Sequence, residues 1–173
     1  MPAADAGALL LVRRHAGNEA LDMSLVTEQE PDMSADLESL ETSFDLLAPR
    51  GDELMDEFYA RLFAAAPAVR PLFPADMKKQ KSMLLAALVL LRKSLRNLDA
   101  IVPTLRNLGA RHVAYGARPE HYPVVGATLI ASMAALAGDA WKPEYETAWA
   151  AAFDIVAGAM IEGAQEAELA AVA

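Results

Sequence analysis

Apolar side chains recur every three or four positions through most of this chain, the spacing that places them on one face of an α-helix. The first such face ends just before Pro49 and is formed by Leu37, Leu40, Phe44 and Leu47. A second face ends at Ala66-Pro67, because the residue before a proline is disfavoured in the helical region. Its apolar positions are Met55, Phe58, Tyr59, Leu62 and Phe63. The pattern predicts an amphipathic helix on each segment.

A proline-rich corner and a long apolar helix follow. The corner is predicted to turn Leu72 and Phe73 inward, between Pro67, Pro71 and Pro74. The helix extends from about Asp76 to Leu95, and its stretch from Met83 to Leu91 is apolar all round. Such a stretch predicts a helix buried on most of its sides.

Glycine and proline separate three more helices in the remaining sequence. The first, which Asn97 or Asp99 would cap, reaches about His112 and ends before "YGARP". The second extends from Pro119 to about Leu136, ahead of Gly138, and the third begins at Pro143. Six main helices and no strand pattern predict an all-α fold.

Composition and charge narrow the class of protein. The chain has 173 residues, of which 54% are hydrophobic, and no apolar run of membrane-spanning length. Its net charge of −9 opposes binding to nucleic acid or to an anionic membrane. Without cysteine it forms no disulfide or thiolate metal site, which suits the cytoplasm. Residues 1–33 lack a helical period, so we predict a flexible N-terminal extension before one domain of residues 34–173.

Three polar side chains stand on apolar faces and are candidates for chemistry. His112 continues the face of Leu105 and Leu108, so its imidazole should point inward. A single inward histidine is more often a hydrogen-bonded core residue than a ligand, and alone it cannot make a zinc site. A prosthetic group that brings its own metal ligands stays open. Tyr59 and Gln80 also have plain explanations, as a core residue and as an exposed first-turn residue.

The order of these residues resembles the globin family, in particular single-domain bacterial haemoglobins and the globin domain of flavohaemoglobins. The resemblance covers about residues 36–168. It is carried by "EFYARLFAAAPAVRPLF", by "LDAIVPTLRNLGARHVAYGARPEHYPVVGATLI" and by "YETAWAAAFDIVAGAMI". It implies a globin fold of about six main helices enclosing haem b, iron protoporphyrin IX.

The same resemblance assigns a role to each candidate residue. His112 would be the iron ligand, and its Nδ1–H would be donated to Glu166, with Tyr122 bracing the contact. On the opposite side of the haem, Tyr59 would be the distal tyrosine and Gln80 its polar partner. The two apolar residues of the distal pocket would be Leu84 over the iron and Phe73 stacked on the porphyrin.

The resemblance implies a protein that reversibly binds dioxygen and other diatomic gases. It also implies a reaction with nitric oxide, for which the iron must be re-reduced after each turnover. Because the sequence ends soon after Glu166, we expect a separate reductase to supply the electrons. Two alternatives remain: a haem-based gas or redox sensor that signals through a partner protein, and a globin-shaped interaction module without haem.

Overall fold

The computed structural model describes residues 33–173, so the predicted N-terminal extension lies outside the described residues up to position 32. Within residues 33–173 there is no strand, and the predicted all-α class is confirmed. Six α-helices follow one another: α1 (Met33–Leu47), α2 (Gly51–Ala65), α3 (Lys78–Ser94), α4 (Val102–Ala114), α5 (His121–Ala137) and α6 (Pro143–Val172). Short 3-10 turns join them, including the corner Pro67–Leu72 and the segment Leu95–Ile101.

Proline and glycine end the helices where the sequence predicts. Pro143 occupies the first turn of α6, where its missing N–H costs no hydrogen bond. Gly138 ends α5 with a φ of 57°, in the region that favours glycine. Two predicted details are wrong: α5 begins at His121 rather than Pro119, and α4 has no side-chain cap. The predicted cap residue Asn97 instead lies at a kink, with φ −151° and ψ 60°.

The core lies where α1, α2, α3, α5 and α6 meet. Trp149 of α6 is fully buried there, and its indole N–H donates to the hydroxyl oxygen of Ser43 at 2.9 Å. Ser43 in turn donates to the Ser39 carbonyl at 2.6 Å, so no polar atom of this pair lacks a partner. The buried side chains around them include Phe44, Leu54, Met55, Phe58, Leu62, Leu88, Leu129 and Met133.

Helix α3 is amphipathic, which corrects the prediction that its middle is buried on most sides. Leu88 and Leu91 are buried, whereas Met83 is 53% exposed and Leu90 is 47% exposed. The helix packs on α1 and α2 along one side, so an apolar run on a single helix does not by itself imply burial all round.

Helices α4 and α6 approach each other through two glycines. A Cβ added to Gly109 would lie 1.8 Å from the Met160 carbonyl oxygen, and one added to Gly163 would lie 2.0 Å from the Arg106 carbonyl oxygen. Either distance is far below van der Waals contact. The two backbones therefore meet at an antiparallel crossing that excludes a side chain at both positions.

Helix α5 is the most apolar element of the fold. Residues His121–Ala140 are long and hydrophobic enough, with a mean hydropathy of 1.4, to cross a membrane by length and composition alone. Core helices commonly pass the same test. Thr128, Leu129, Ser132 and Met133 of this helix are buried against its neighbours, which explains its composition.

Candidate functional site

Tyr59 and Gln80 form a hydrogen bond between α2 and α3. Tyr59 is only 3% exposed, and its hydroxyl oxygen accepts from Nε2 of Gln80 at 3.1 Å. Burial raises the pKa of the Tyr59 hydroxyl, and the bond from Gln80 offsets part of that rise. Because Gln80 supplies a proton and takes none, the phenolic proton of Tyr59 can be donated to another group.

An aromatic cluster surrounds the Tyr59 ring. Phe73 packs edge-on against Tyr59 with ring centroids 5.7 Å apart, and Phe63 lies 5.8 Å from Tyr59 and 5.4 Å from Phe73. Arg70 stabilises the corner Pro67–Leu72. Its guanidinium lies 4.9 Å from the Phe63 ring centre and donates to the carbonyl oxygens of Phe73 and Pro74 at 3.1 Å. Phe63 and Arg70 were not among the predicted site residues.

Leu84 lies one turn beyond Gln80 on α3 and is half-buried against the core. Positions four apart lie on the same face of a helix. Gln80 and Leu84 therefore face the same way, while Tyr59 is in direct contact with both Gln80 and Phe73.

On α4, the ring orientation of His112 is fixed by its own backbone. Nδ1 of His112 lies 2.8 Å from the carbonyl oxygen of Leu108, one turn earlier. A carbonyl oxygen only accepts hydrogen bonds, so Nδ1 carries a proton, and in the neutral imidazole Nε2 then keeps a lone pair. An imidazole in this state can bind a metal through Nε2.

Helix α4 ends in a turn at Gly116 that is bonded back to the carbonyl of His112. Gly116 has a φ of 82°, and its N–H donates to the Val113 carbonyl at 3.0 Å. The Ala117 N–H donates to the His112 carbonyl, also at 3.0 Å. This pair of bonds is the Schellman motif, which ends a helix at a defined residue. The backbone of His112 is therefore held at a fixed position.

The predicted contact between His112 and Glu166 is wrong. The Glu166 carboxylate is exposed and lies 3.5 Å from Nη1 of Arg106, which also binds Glu162 at 2.6 Å. Gly109 faces Met160 and Gly163 faces Arg106, so the two helices run in opposite directions and Glu166 lies about 13 Å along α4 from His112, at 1.5 Å per residue. The Leu108 carbonyl takes the place assigned to Glu166.

Tyr115, which the sequence analysis missed, contacts the His112 ring edge-on with centroids 5.6 Å apart. Its position three residues after His112 is the signal that could have found it, because residues at that spacing are neighbours on a helix. The predicted neighbour, Tyr122, is half-buried in the first turn of α5, and burial raises the pKa of its hydroxyl. That hydroxyl forms no hydrogen bond with another described residue.

His121, the other histidine of this region, forms a hydrogen bond with a backbone group close to it in the sequence. Nδ1 of His121 accepts from the Arg118 backbone N–H at 3.1 Å, at the start of α5. Between residues 33 and 173 there is no cluster of three or more side chains suited to hold a metal ion. A metal bound by His112 would take its other ligands from a prosthetic group.

Comparison with known proteins decides the family. The family model described as Globin matches residues 56–160, which contain Tyr59, Gln80 and His112. The chain belongs to the globin family.

Relatives of this globin include proteins that are much longer. A flavohaemoprotein of Deinococcus radiodurans is 34% identical over 140 residues, which cover 79% of this chain and 33% of that protein. The chain spans about a third of the length of the curated relatives it matches.

Solved structures of similar fold include two globins. A bacterial globin from Campylobacter jejuni is 25% identical with a TM-score of 0.69, over 77% of this chain and 96% of that one. The flavohaemoglobin of Malassezia yamatoensis, solved with bound FAD and haem, has a TM-score of 0.66 at 18% identity and covers 77% of this chain and 36% of that one. The predicted globin fold is confirmed.

The residues of this globin fit the haem that such a fold implies. In its neutral form His112 offers Nε2 as a nitrogen donor while Nδ1 is already hydrogen-bonded, and such a histidine is one of the protein ligands that a porphyrin iron takes. Tyr59 offers one buried hydroxyl proton on a different helix. Half-buried apolar side chains such as Phe73 and Leu84 provide the surface that a flat hydrophobic ring would cover.

Proposed function

We propose that this globin holds haem b through Nε2 of His112 and binds dioxygen and other diatomic gases reversibly on the Tyr59 side. The observation that carries the proposal is the bond from His112 Nδ1–H to the Leu108 carbonyl, which leaves Nε2 available for iron. Bound haem would supply the iron atom at which gases bind. Kinship with flavohaemoproteins supports the assignment.

Each residue of the site has a separate task. His112 would hold the iron at a position fixed by the turn that ends α4. Tyr59 would donate its hydroxyl proton to the bound gas, and Gln80 would orient the hydroxyl by donating to its oxygen. Phe73 and Leu84 would exclude water, which strengthens a hydrogen bond to a partly charged ligand.

We further propose that the protein, with haem bound, would convert nitric oxide and dioxygen to nitrate, a reaction for which a reductase would supply the electrons. A hydrogen bond from Tyr59 would favour a bound ligand that carries partial negative charge. The resemblance to flavohaemoglobins motivates this reaction, which needs a supply of electrons.

Absorption spectra of the haem-reconstituted protein test the binding proposal. We expect a Soret band in ferric and ferrous forms and a stable oxygenated form. His112→Ala should lose the haem on gel filtration, because no other nitrogen donor replaces the ligand, whereas His121→Ala should retain it. Equal retention by the two variants would contradict the assignment of His112.

Stopped-flow mixing tests the reaction. The oxygenated protein is mixed with nitric oxide, and the amount of nitrate formed is compared with the amount of ferrous haem oxidised. We expect about one nitrate for each ferrous haem oxidised, as the transfer of both oxygen atoms requires. Dissociation of dioxygen without nitrate would restrict the function to reversible gas binding.

A further inference from the structure

The turn of α3 that carries Gln80 is a poor helix start by its own sequence. The first four residues of the helix include no acidic residue and three lysines: Lys78, Lys79 and Lys81. Positive charge is unfavourable at this end of a helix, where the dipole is also positive. The N-cap residue Met77 makes no side-chain capping bond. The position of Gln80 therefore depends on contacts with other parts of the fold.

An ion pair with α2 provides one such contact beside the Tyr59–Gln80 hydrogen bond. Nζ of Lys81 lies 2.7 Å from Oδ1 of Asp56. Asp56 precedes Tyr59 by three residues, a spacing that makes the two neighbours on α2, and Lys81 directly follows Gln80. Helices α2 and α3 are therefore joined by two adjacent polar contacts.

The ion pair lies on the solvent side of the Tyr59–Gln80 bond. Tyr59 is buried and Gln80 is half-buried, whereas the side chain of Lys81 is 33% exposed and that of Asp56 is 69% exposed. Exposure thus increases from the tyrosine hydroxyl outward to the carboxylate. The outer contact can break without disturbing the buried ring, so its effect on Gln80 can be measured separately.

We propose that Lys81 and Asp56 are positioning residues, whose ion pair keeps Gln80 on the Tyr59 oxygen. The pair holds the first turn of α3 against α2, and the Gln80 amide then stays within hydrogen-bonding distance of the hydroxyl. A hydroxyl that accepts a hydrogen bond becomes a better donor, because neighbouring hydrogen bonds polarise one another. The pair therefore strengthens the bond that Tyr59 donates to a bound gas, a consequence that rests on the proposed function.

Two lysines of the same turn provide matched variants. Lys81→Gln and Lys79→Gln each remove one positive charge and keep a long polar side chain. Lys79 is exposed and forms no ion pair with a residue between positions 33 and 173. Asp56→Asn breaks the pair from the side of α2. We expect Lys81→Gln and Asp56→Asn to behave alike, and Lys79→Gln to resemble wild type.

Hydrogen exchange of the full chain before haem is added tests the contact itself. NMR measures the exchange of the backbone amides of residues 82–84, whose helical hydrogen bonds reach back to the first turn. Lys81→Gln and Asp56→Asn should raise these rates about threefold, as loss of a partly exposed ion pair predicts. Equal rates in Lys81→Gln and Lys79→Gln would show that the ion pair does not hold the turn.

Dioxygen dissociation from the haem-reconstituted protein tests the consequence. Lys81→Gln should raise the dissociation rate about threefold, whereas Lys79→Gln should leave it unchanged. The stretching frequency of bound carbon monoxide should shift in Lys81→Gln in the same direction as in Tyr59→Phe, because it reports the polarity around the ligand. At about 0.5 M salt the wild-type rate should approach that of Lys81→Gln, since the pair is accessible to solvent.

A double variant tests whether the effect passes through Gln80. Gln80→Leu removes the amide that donates to Tyr59. When Lys81→Gln is added to Gln80→Leu, the dioxygen dissociation rate should not change further. The same threefold rise in both backgrounds would overturn the positioning role, because Lys81 would then act by a route that does not involve Gln80.

The outcomes distinguish this inference from the proposed function. A wild-type protein without a Soret band overturns the proposed function and the effect on gas binding, while hydrogen exchange still decides whether the pair holds the turn. A normal Soret band with equal dissociation rates in Lys81→Gln and Lys79→Gln overturns the positioning role alone.

Discussion

In the hydrogen bond between Gln80 and Tyr59, Gln80 is the donor, and this leaves the Tyr59 hydroxyl proton free for another acceptor. Nε2 of Gln80 can only donate, so the Tyr59 oxygen accepts and its own proton stays available. A glutamate at position 80 would instead take that proton. The amide therefore suits the proposed role of Tyr59, in which its hydroxyl would donate to a bound gas.

Replacing this tyrosine should release dioxygen faster. Tyr59→Phe keeps the ring that packs against Phe73 and removes the donor. We expect the dioxygen dissociation rate to rise about 10- to 100-fold, corresponding to a hydrogen bond to a partly charged group. Laser photolysis or displacement by carbon monoxide measures this rate. Tyr122→Phe is the matched control, and an equal effect of the two substitutions would argue against the assigned role of Tyr59.

The bond between His112 and the haem iron should not depend on Glu166. Glu166→Gln removes one of two exposed carboxylates beside Arg106 and does not reach His112. We expect an unchanged iron–histidine stretching frequency in the resonance Raman spectrum of the ferrous protein. A shift of this band in Glu166→Gln would show that the carboxylate does act on the imidazole.

At the residue scale, the sequence predicts helix faces but not the register between helices. Tyr59 and Gln80 were paired through the family resemblance, and the structure joins them at 3.1 Å. Glu166 was placed beside His112 through resemblance, and the crossing at Gly109 and Gly163 instead puts it beside Arg106. Spacing within one helix says nothing about which residue of another helix lies opposite.

At the scale of elements, the contact between α4 and α6 depends on two glycines, Gly109 and Gly163, which have no side chain. The backbone of α4 touches that of α6 at Gly109, one turn before His112. The position of the candidate ligand therefore depends on a backbone contact, and any residue larger than glycine would separate the two helices.

A single methyl group at this crossing should be strongly destabilising. Gly109→Ala would place a Cβ 1.8 Å from a backbone oxygen, which the helices can relieve only by moving apart. We expect a loss of about 3 kcal/mol in the free energy of unfolding, at the upper end for overpacking. Gly158→Ala on α6 is the matched control, since its Cβ would meet nothing within 4 Å.

The control should behave in the opposite way. Alanine favours a helix over glycine by about 1 kcal/mol, so Gly158→Ala should be neutral or stabilising. Urea denaturation followed by circular dichroism measures both variants. If Gly109→Ala were as stable as Gly158→Ala, the close crossing would not exist in solution.

Helix boundaries were the most predictable elements because proline and glycine act locally. Pro143 and Gly138 mark the start of α6 and the end of α5 as expected. The burial of α3 was not predictable, because exposure of Met83 and Leu90 depends on which sides its neighbours cover. That arrangement belongs to the tertiary structure.

Across the whole molecule, ion pairs tie α1 to α3. Arg96 donates to both carboxylate oxygens of Glu41 at 2.9 and 2.8 Å, and Arg92 does the same to Asp45 at 3.0 and 2.8 Å. These hydrogen bonds lower the pKa of both carboxyl groups, because they favour the charged form. The two pairs join residues far apart in the sequence.

These pairs should make stability depend on pH in a defined sense. A carboxyl group with a lowered pKa stabilises the fold above its unfolded pKa of about 4, and this contribution is lost as the pH falls through the lowered value. Arg92→Gln should therefore lower the Tm by about 2 °C at neutral pH and have less effect as the pH falls below about 4. Arg61→Gln, whose partner Glu57 lies on its own helix, is the control.

Thermal unfolding by circular dichroism at a series of pH values measures this dependence. Added salt should reduce the difference between Arg92→Gln and wild type, since Asp45 is exposed to solvent and Arg92 is only partly buried. A difference that grows in acid would contradict the assigned role of the pair.

Trp149, sealed in the core against Ser43, also gives the protein an internal optical reporter. Its indole is shielded from water, so its emission should be blue-shifted while α1 stays docked and should move to longer wavelength when the core opens. A porphyrin absorbs in the range of tryptophan emission, so its arrival would dim this signal without shifting it. In a Trp141→Phe variant, where Trp149 is the one tryptophan, fluorescence can therefore distinguish haem binding from loosening of the helices in a single unlabelled sample.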